Sequence, residues 1–162
     1  MTSAASASSD EPRWLDDDEM RVWRGFLEAT ERVNQAITDG LKDADNLTLD
    51  DYEVLVHLSE APGRRLRMSE LSDRLLHSQS RLTQRVDRLG ARGYVCREKC
   101  PEDRRGTFAC LTDEGFAALE AAAPFHLRDV RAALIDQVEP EELRVLATVF
   151  ERVAERLREP AG

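Results

Sequence analysis

The stretch SELSDRLLHSQSRLTQRVDRLGARG, residues 69–93, decides the fold. Apolar residues recur at a helical spacing before and after the short polar segment HSQ, which is the pattern of two amphipathic helices. In the second helix Leu82, Val86 and Leu89 share one face, and Gly93 follows where a helix commonly ends in a left-handed residue. Two short helices joined by about three residues are typical of a helix-turn-helix.

The opposite face of the second helix is polar and almost free of acidic residues. Arginine can hydrogen-bond guanine, glutamine can hydrogen-bond adenine, and serine or threonine can contact either a base or a phosphate. The pattern is compatible with DNA reading and equally with an ordinary solvated helix face. If the face binds DNA, the candidate contacts are Ser78, Gln79, Ser80, Arg81, Thr83, Gln84, Arg85 and Arg88.

A β-hairpin is predicted directly after this helix. The β-prone runs 94–99 and 107–111 flank the turn CPEDRRG, so the hairpin has a basic tip, and a helix-turn-helix followed by a hairpin is a winged helix. At the tip, Arg104 and Arg105 could enter a minor groove, and Asp103 could hold one guanidinium by a bidentate ion pair. The tetrapeptide DRRG is also compatible with an ordinary polar turn.

Charge is distributed unevenly along the chain. The whole sequence has a formal net charge of −9. Residues 64–105 contain 12 Lys and Arg but only 6 Asp and Glu, so this block carries +6 and the remainder carries −15. A compact basic block in an acidic chain favours a polyanionic partner such as double-stranded DNA.

Long amphipathic helices are predicted on both sides of the basic block. They carry more apolar surface than that block could cover, so a second copy of the chain is the simplest partner. The sequence therefore predicts a mainly α (α+β) fold, a winged helix-turn-helix with long N- and C-terminal dimerisation helices. The expected segments are a disordered tail at 1–13, a dimerisation helix at 14–46, a DNA-binding lobe at 47–111 and C-terminal dimerisation helices at 112–158.

The ends of these helices carry local signals. Thr48 opens a run that resembles a capping box, and Ser69 and Thr112 are predicted N-caps. Pro124 predicts a kink in the helix that follows Thr112. Pro140 is expected at the first position of the last helix, where its missing N–H costs nothing.

Several classes of protein are disfavoured. No apolar run approaches the roughly 18 residues that a membrane span needs, and the first residues lack the regions of a secretory signal, so a cytoplasmic protein is expected. The odd count of three cysteines disfavours a disulfide framework. The sequence contains no GxGxxG, GxxxxGK(S/T), GxSxG or HExxH motif, and we expect neither an enzyme nor a bound cofactor.

The segments VDRLGARGYV, DRRG and LTDEG, at residues 86–95, 103–106 and 111–115, together resemble the multiple antibiotic resistance regulator (MarR) family of bacterial transcription factors. The resemblance covers about residues 14–157. It implies a homodimer that places two winged-helix lobes on a pseudo-palindromic operator. It also implies a repressor that releases DNA when a small, often aromatic acid binds.

The resemblance also assigns roles within the lobe. Residues 80–92 match the recognition helix and residues 100–106 match the turn of the wing. Arg105 matches the arginine that enters the minor groove, and Asp103 matches the carboxylate that holds it. Candidate contacts for the effector are polar or aromatic residues on helices near the lobe, each of them also compatible with a core or interface role: Trp23, Tyr52, His57 and His126.

The cysteines leave two interpretations open. Cys96 and Cys110 are expected to face each other across the hairpin, with Cys100 at its tip. The chain could be a redox-responsive regulator that uses these wing thiols, or these could be two ordinary strand cysteines and one exposed cysteine. No metal site is expected, because the cysteines lack CxxC spacing and the three histidines fall on separate elements.

One further interpretation competes with DNA binding as a whole. Winged helices also serve as protein-interaction modules, in which the basic face would bind an acidic protein and the hairpin would add a strand to a partner sheet. Residue types alone do not distinguish these two uses of the fold. A gel shift with duplex DNA in the presence of competitor distinguishes them.

Overall fold

The computed structural model describes residues 12–100 and 106–158. Within these ranges the elements are α1 (Asp17–Asp45), α2 (Leu49–Glu60), β1 (Arg65–Arg67), α3 (Met68–Arg74), α4 (Gln79–Ala91), β2 (Val95–Lys99), β3 (Thr107–Leu111), α5 (Asp113–Ala133) and α6 (Pro140–Arg158). Short 3-10 turns cover Pro62–Arg64 and Ile135–Gln137. The predicted winged helix-turn-helix with long terminal helices is confirmed.

The chain divides into two compact units, residues 1–32 and 33–162, and the division into four segments made from the sequence remains a prediction. In the first unit, α1 begins with a reciprocal cap: the Glu19 N–H donates to Asp16 Oδ1 at 2.8 Å, and the Asp16 N–H donates to Glu19 Oε2 at 3.0 Å. Within the first unit this helix leaves several large apolar side chains exposed. These are Val22, Trp23, Phe26 and Leu27, preceded by Trp14 and Leu15.

The second unit holds the hydrophobic core. Its centre is a group of leucines from the end of α1, from the loop between α1 and α2, from α2 and from the two helices of the helix-turn-helix. Each of these side chains is almost completely buried: Leu41, Leu47, Leu55, Leu58, Leu71, Leu82 and Leu89. Burying a leucine contributes about 1.5 to 3 kcal/mol, so this group fixes how α2, α3 and α4 pack.

The sheet has three antiparallel strands in the order β1-β3-β2 within the described residues. The hairpin predicted from the sequence is β2 and β3, with Val95 opposite Leu111 and Cys96 opposite Cys110. The short extended piece before α3 adds the third strand, because Leu66 is buried and pairs with Ala109.

The turn between α3 and α4 is closed by hydrogen bonds. Buried Ser72 donates from its hydroxyl to the His77 carbonyl at 2.6 Å, and the His77 N–H donates to the Ser72 carbonyl at 3.1 Å. Ser78 caps α4 by accepting from the Arg81 N–H at 3.3 Å. The predicted N-cap at Ser69 is wrong: α3 starts directly from β1, so Arg67 is its N-cap and no side chain caps it.

The start of α5 is held against the end of α4. Thr112 caps α5 as predicted, accepting from the Gly115 N–H at 3.0 Å and donating to the Gly93 carbonyl at 2.7 Å. Gly93 adopts a left-handed φ of 77°, which glycine reaches at no steric cost. A Cβ at Gly115 would overlap the Tyr94 carbonyl oxygen, so the glycine of LTDEG permits this close approach.

The two prolines singled out in the sequence lie in the last two helices. Pro124 lies inside α5, which continues to Ala133, and α6 starts at Pro140 as expected. Among the described residues, none of the helices is long and apolar enough to cross a membrane.

Candidate nucleic-acid interface

The first two turns of α4 present a polar face to solvent. We call this set the exposed α4 face: Ser78, Gln79, Ser80, Arg81 and Gln84, all of them exposed. It contains no acidic side chain. The Arg81 side chain is 65% exposed and lies 4.0 Å from the nearest carboxylate oxygen, on Asp50, so its guanidinium is free to rotate toward a partner.

A polar groove runs between the start of α4 and the sheet. Its volume is about 390 Å³. Its lining comes from β1, the start of α3, α4 and the hairpin: Arg67, Met68, Ser69, Gln79, Thr83, Arg97, Gly106 and Thr107. Amide, hydroxyl and guanidinium groups that converge on one groove suit a phosphate backbone, which is contacted by these same groups in protein–DNA complexes.

Two arginines of this groove, Arg67 and Arg97, were missed as site residues by the sequence analysis. Arg97 donates to the Thr83 carbonyl at 3.2 Å and pairs with Asp87 at 2.8 Å, which orients it along α4. Arg67 donates to Cys100 Sγ at 3.2 Å. Both lie inside the basic block 64–105, so the charge pattern was a signal for them, but only the strand pairing places them next to α4.

Arg85 does not belong to the exposed α4 face. Its side chain is only 12% exposed and forms ion pairs with Asp50 and Asp51 of α2. It also donates to Thr48 Oγ1 at 3.0 Å. The sequence placed Arg85 among the DNA contacts because polar residues surround it along the chain. The packing of α2 against α4 turns it inward, where two carboxylates hold its guanidinium, and its contact with a base stays a prediction.

Arg88 shares the same acidic partner. It pairs with Asp51 while its own side chain remains 53% exposed, so part of its guanidinium is still accessible. We call Asp50, Asp51, Arg85 and Arg88 the α2–α4 salt-bridge cluster. Thr83, the last of the predicted contacts, is half-buried and lines the groove.

Asp51 is the centre of the α2–α4 salt-bridge cluster. Its side chain is 3% exposed and accepts from the Thr48 N–H at 3.0 Å and the Thr48 hydroxyl at 2.8 Å, which completes the capping box of α2. Burial alone would raise the pKa of Asp51, but hydrogen bonds from Arg88 and Thr48 outweigh it, so the pKa lies below its usual value. The carboxylate is therefore ionised at neutral pH and balances the buried arginine.

The predicted tip of the wing, Asp103, Arg104 and Arg105, lies outside the described residues. The base of the wing is described up to the Cys100 N–H, which donates to the Gly106 carbonyl at 2.9 Å. Cys96 and Cys110 face each other as predicted. Cys100, however, is buried rather than exposed, because its side chain packs beside Arg67.

Two of the four effector candidates are brought together. Tyr52 and His126 stack with ring centroids 4.4 Å apart, and burial raises the pKa of Tyr52. Burial also lowers the pKa of His126, partly offset by Asp129, and His126 Nδ1 is buried without a hydrogen-bond partner. His57 is half-buried on α2. Trp23 belongs to the first unit, where it stacks on Phe26 at 6.1 Å.

Comparison with known proteins gives consistent matches. The sequence model of the MarR family matches residues 45–106 of this chain. The HTH-type transcriptional regulator YkoM of Bacillus subtilis is 32% identical over 115 residues, which is 70% of this chain and 72% of the relative. The HTH-type transcriptional repressor YetL of the same species is 30% identical over 106 residues, 64% of each chain.

The solved structures agree with these matches. Sco3205, a MarR family transcriptional regulator from Streptomyces coelicolor solved in complex with DNA, is 41% identical to this chain. The two superpose with a TM-score of 0.89 over 94% of this chain and 95% of the other. On these matches and on the winged-helix geometry of α3, α4 and the hairpin, the chain belongs to the MarR family of DNA-binding transcriptional regulators.

Proposed function

We propose that the chain acts as a homodimer that binds a pseudo-palindromic operator and represses transcription until a small-molecule effector releases it. It would act in the cytoplasm, by binding rather than by catalysis. The observation that carries the proposal is the exposed α4 face, a set of solvent-exposed hydrogen-bonding side chains that includes no carboxylate. This face borders a groove lined by two arginines.

The exposed α4 face supports direct reading of bases. Gln79, Arg81 and Gln84 have the functional groups that form bidentate hydrogen bonds with adenine and guanine in the major groove. Arg67 and Arg97 would hold the neighbouring phosphates, which position a protein without selecting a sequence. The wing arginine Arg105 is proposed for the adjacent minor groove, with Asp103 holding its guanidinium.

A dimer is supported by apolar faces that a soluble monomer would leave in water. In the second unit, α6 buries none of its described side chains, and its exposed apolar residues are Leu143, Val145, Phe150, Val153 and Leu157. In the first unit, α1 exposes a comparable set that includes Trp23 and Phe26. Contiguous apolar patches of this kind commonly mark an interface, and a symmetric copy is the most frequent partner.

Repression and release are supported less directly. The relative YetL is named a repressor. For the effector, the stacked pair Tyr52 and His126 offers an aromatic surface beside a buried nitrogen without a partner, which suits a planar acid that can accept a hydrogen bond. We expect His126→Ala to abolish release of DNA by such acids while operator affinity is unchanged, as measured by a fluorescence anisotropy titration with a panel of small aromatic acids.

The decisive experiment is selection of bound sequences from a random duplex pool, followed by anisotropy on the selected site. We expect two inverted half-sites centred about 34 to 36 Å apart, one turn of B-DNA. The logarithm of the binding constant should fall linearly with the logarithm of salt concentration, by about 0.9 per phosphate neutralised. A flat salt dependence, or half-sites at random spacing, would contradict the proposal, and capture of an acidic protein in place of DNA would favour an interaction module.

Single substitutions separate the residues proposed to contact bases from those proposed to contact phosphates. Gln84→Ala should change the preferred base at one position of each half-site, whereas Arg97→Ala should weaken binding to all sequences about equally. Arg144→Ala, on the exposed side of α6, is the matched control and should bind like the unmodified protein. Arg105→Ala should weaken operator binding more than Asp103→Ala, because the second change only frees the arginine.

A further inference from the structure

Two thiols and a carboxylate meet on the outer face of the sheet. The ligand atoms of Cys96, Glu98 and Cys110 all lie within 4.8 Å of one another. Cys96 and Glu98 are exposed and Cys110 is buried. The groups belong to β2 and β3, at the base of the hairpin, and none of them takes part in the DNA interface described above.

The strand register explains why these three side chains converge. Cys96 is directly opposite Cys110, so their side chains are on the same face of the sheet. Glu98 follows Cys96 by two residues and therefore projects from that face as well. The opposite face carries Ala109, which is completely buried in the core. The side that bears the thiols is consequently the outward one.

This side of the sheet opens to solvent. A groove of about 620 Å³ is lined by the three groups together with Pro62, Gly63, Arg65 and Leu111. A small ion can therefore reach Cys110 Sγ although the residue as a whole is buried. The three ligand groups thus lie close together and are open to solvent, as a site that exchanges an ion with solution requires.

The electrostatics of the cluster favour a cation. Burial, together with the neighbouring Glu98 and Cys96, raises the pKa of the Cys110 thiol to about 12. Each of these neighbours would carry negative charge when deprotonated, so a bound cation would stabilise all of them at once.

Arg65 is the competing cation. It lies opposite Cys110 on β1 and contacts Glu98 at 3.5 Å, with both side chains 52% exposed. A pair at this distance and exposure is weakly held, so Glu98 can turn from Arg65 to an ion without loss of a buried contact. Arg65 should nevertheless lower the affinity of the site for any cation.

The pairing of the strands favours an ion over a disulfide. The Thr112 N–H donates to the Tyr94 carbonyl, and the Cys100 N–H donates to the Gly106 carbonyl. Hydrogen-bonded and non-hydrogen-bonded pairs alternate along an antiparallel ladder, so Cys96 and Cys110 form a hydrogen-bonded pair. Cβ atoms in such pairs are about 5.5 Å apart, beyond the roughly 3.5 to 4.5 Å of a disulfide.

We propose that Cys96, Glu98 and Cys110 form a binding site for a thiophilic divalent cation of the Zn²⁺ class, with a water or an exogenous ligand in the fourth position. Tetrahedral Zn²⁺ with bonds of about 2.3 Å to sulfur holds two thiolates about 3.8 Å apart, and the three ligand atoms here all lie within 4.8 Å of one another. Two thiolates and one carboxylate select Zn²⁺ over Mg²⁺ or Ca²⁺, which prefer oxygen. The ion would tie β2 to β3 at the base of the wing.

The test is direct titration of the tag-free full-length protein, in a reductant that does not bind metals and without DNA. Zn²⁺ binding is measured by calorimetry, and Co²⁺ serves as a spectroscopic probe because thiolate ligation gives an intense near-ultraviolet absorption. We expect saturable binding of one ion per chain and that absorption band. Since no DNA is present, failure here leaves the proposed function intact, and failure of operator binding leaves this site intact.

Four variants make the result specific. Cys96→Ser, at an exposed position that should not affect folding, and Glu98→Gln should each weaken Zn²⁺ binding by more than about 10-fold, since even changes outside the ligand set cost 10-fold to 100-fold. Cys100→Ser, the third thiol, is the matched control and should bind like the unmodified protein. Arg65→Gln should bind more tightly. Absence of saturable binding in the unmodified chain, or equal affinity in Cys96→Ser, would overturn the proposal.

Discussion

Arg81 and Arg85 lie four residues apart on α4, and the structure uses them in different ways. Arg81 is 65% exposed on the exposed α4 face. Arg85 is 12% exposed in the α2–α4 salt-bridge cluster. One guanidinium is available to a partner, and the other is committed to two carboxylates of α2. The comparison teaches that a cationic stripe on a DNA-binding helix contains residues that read DNA and residues that hold the helix in place.

The two regions depend on each other through the position of α4. Leu82, Val86 and Leu89 bury one side of the helix against the core. The α2–α4 salt-bridge cluster adds directional hydrogen bonds, so the angle at which α4 presents Arg81 and Gln84 is set. We therefore expect substitutions in the cluster to affect folding and substitutions on the exposed face to affect binding.

The largest effect should follow from Asp51→Ala. The change removes a buried carboxylate that pairs with both Arg85 and Arg88 and leaves Arg85 with Asp50 alone. Removal of one partner from a buried ion pair costs about 3 to 5 kcal/mol of unfolding free energy. Urea unfolding followed by circular dichroism measures it. Asp50→Ala is the matched control, and its loss should be smaller because Asp50 is 35% exposed. Equal losses in the two variants would show that burial of Asp51 does not decide the effect.

A smaller effect, and of a different kind, is expected for Arg81→Met. The unfolding free energy should stay within about 0.5 kcal/mol of that of the unmodified protein, as for most surface changes. Operator binding should weaken by about 1 to 3 kcal/mol, the usual contribution of a good bidentate base contact. Arg85→Met should show the reverse pattern, with a lower unfolding free energy. If Arg85→Met kept its stability and lost only affinity, Arg85 would have to turn outward on DNA.

Acid should act on the cluster and not on the exposed face. The pKa of Asp51 is lowered in the folded protein, so its contribution to stability is complete above about pH 4, the value for an unfolded aspartate. The contribution is lost as the pH falls from there through the folded pKa. The melting temperature, measured between about pH 2 and 7, should therefore depend less steeply on pH in Asp51→Asn than in the unmodified protein. In Arg81→Met it should depend on pH as in the unmodified protein.

The smallest effect is expected for an arginine that belongs to neither region. Arg144 pairs with Glu141 on the same helix, and both side chains are more than 70% exposed. Exposed pairs contribute about 0 to 1 kcal/mol, so Arg144→Ala should change the unfolding free energy by less than about 0.5 kcal/mol. Differential scanning calorimetry at two salt concentrations checks this. A large loss would indicate that α6 contacts a second copy through this residue.

Much of the fold followed from local signals in the sequence. The apolar spacing of α4, the caps at Thr48 and Thr112, and the left-handed Gly93 all depend on residues within about one turn of each other, and the structure contains each of them. The Ser69 cap failed because β1 runs directly into α3. A local cap signal does not report that the preceding strand has already fixed where the helix begins.

The candidate site was predicted less completely. The polar residues at the start of α4 were identified from the sequence, but Arg85 was grouped with them. Arg67 and Arg97 were missed, since their positions beside α4 depend on strand pairing. The thiol and carboxylate cluster was missed for the same reason: Cys96 and Cys110 are 14 positions apart along the chain and become neighbours only through the register of β2 and β3.

The sequence by itself determined the order of the helices, the hairpin and the basic block, because periodicity, capping and charge act over short stretches of chain. Only the tertiary structure decided which charged side chains are paired and which are free. The partners of Arg85 on α2 lie more than 30 residues away along the chain, and the burial that makes those ion pairs strong exists only once α2 packs against α4. Long-range pairing depends on the relative placement of whole elements, which no single stretch of sequence contains.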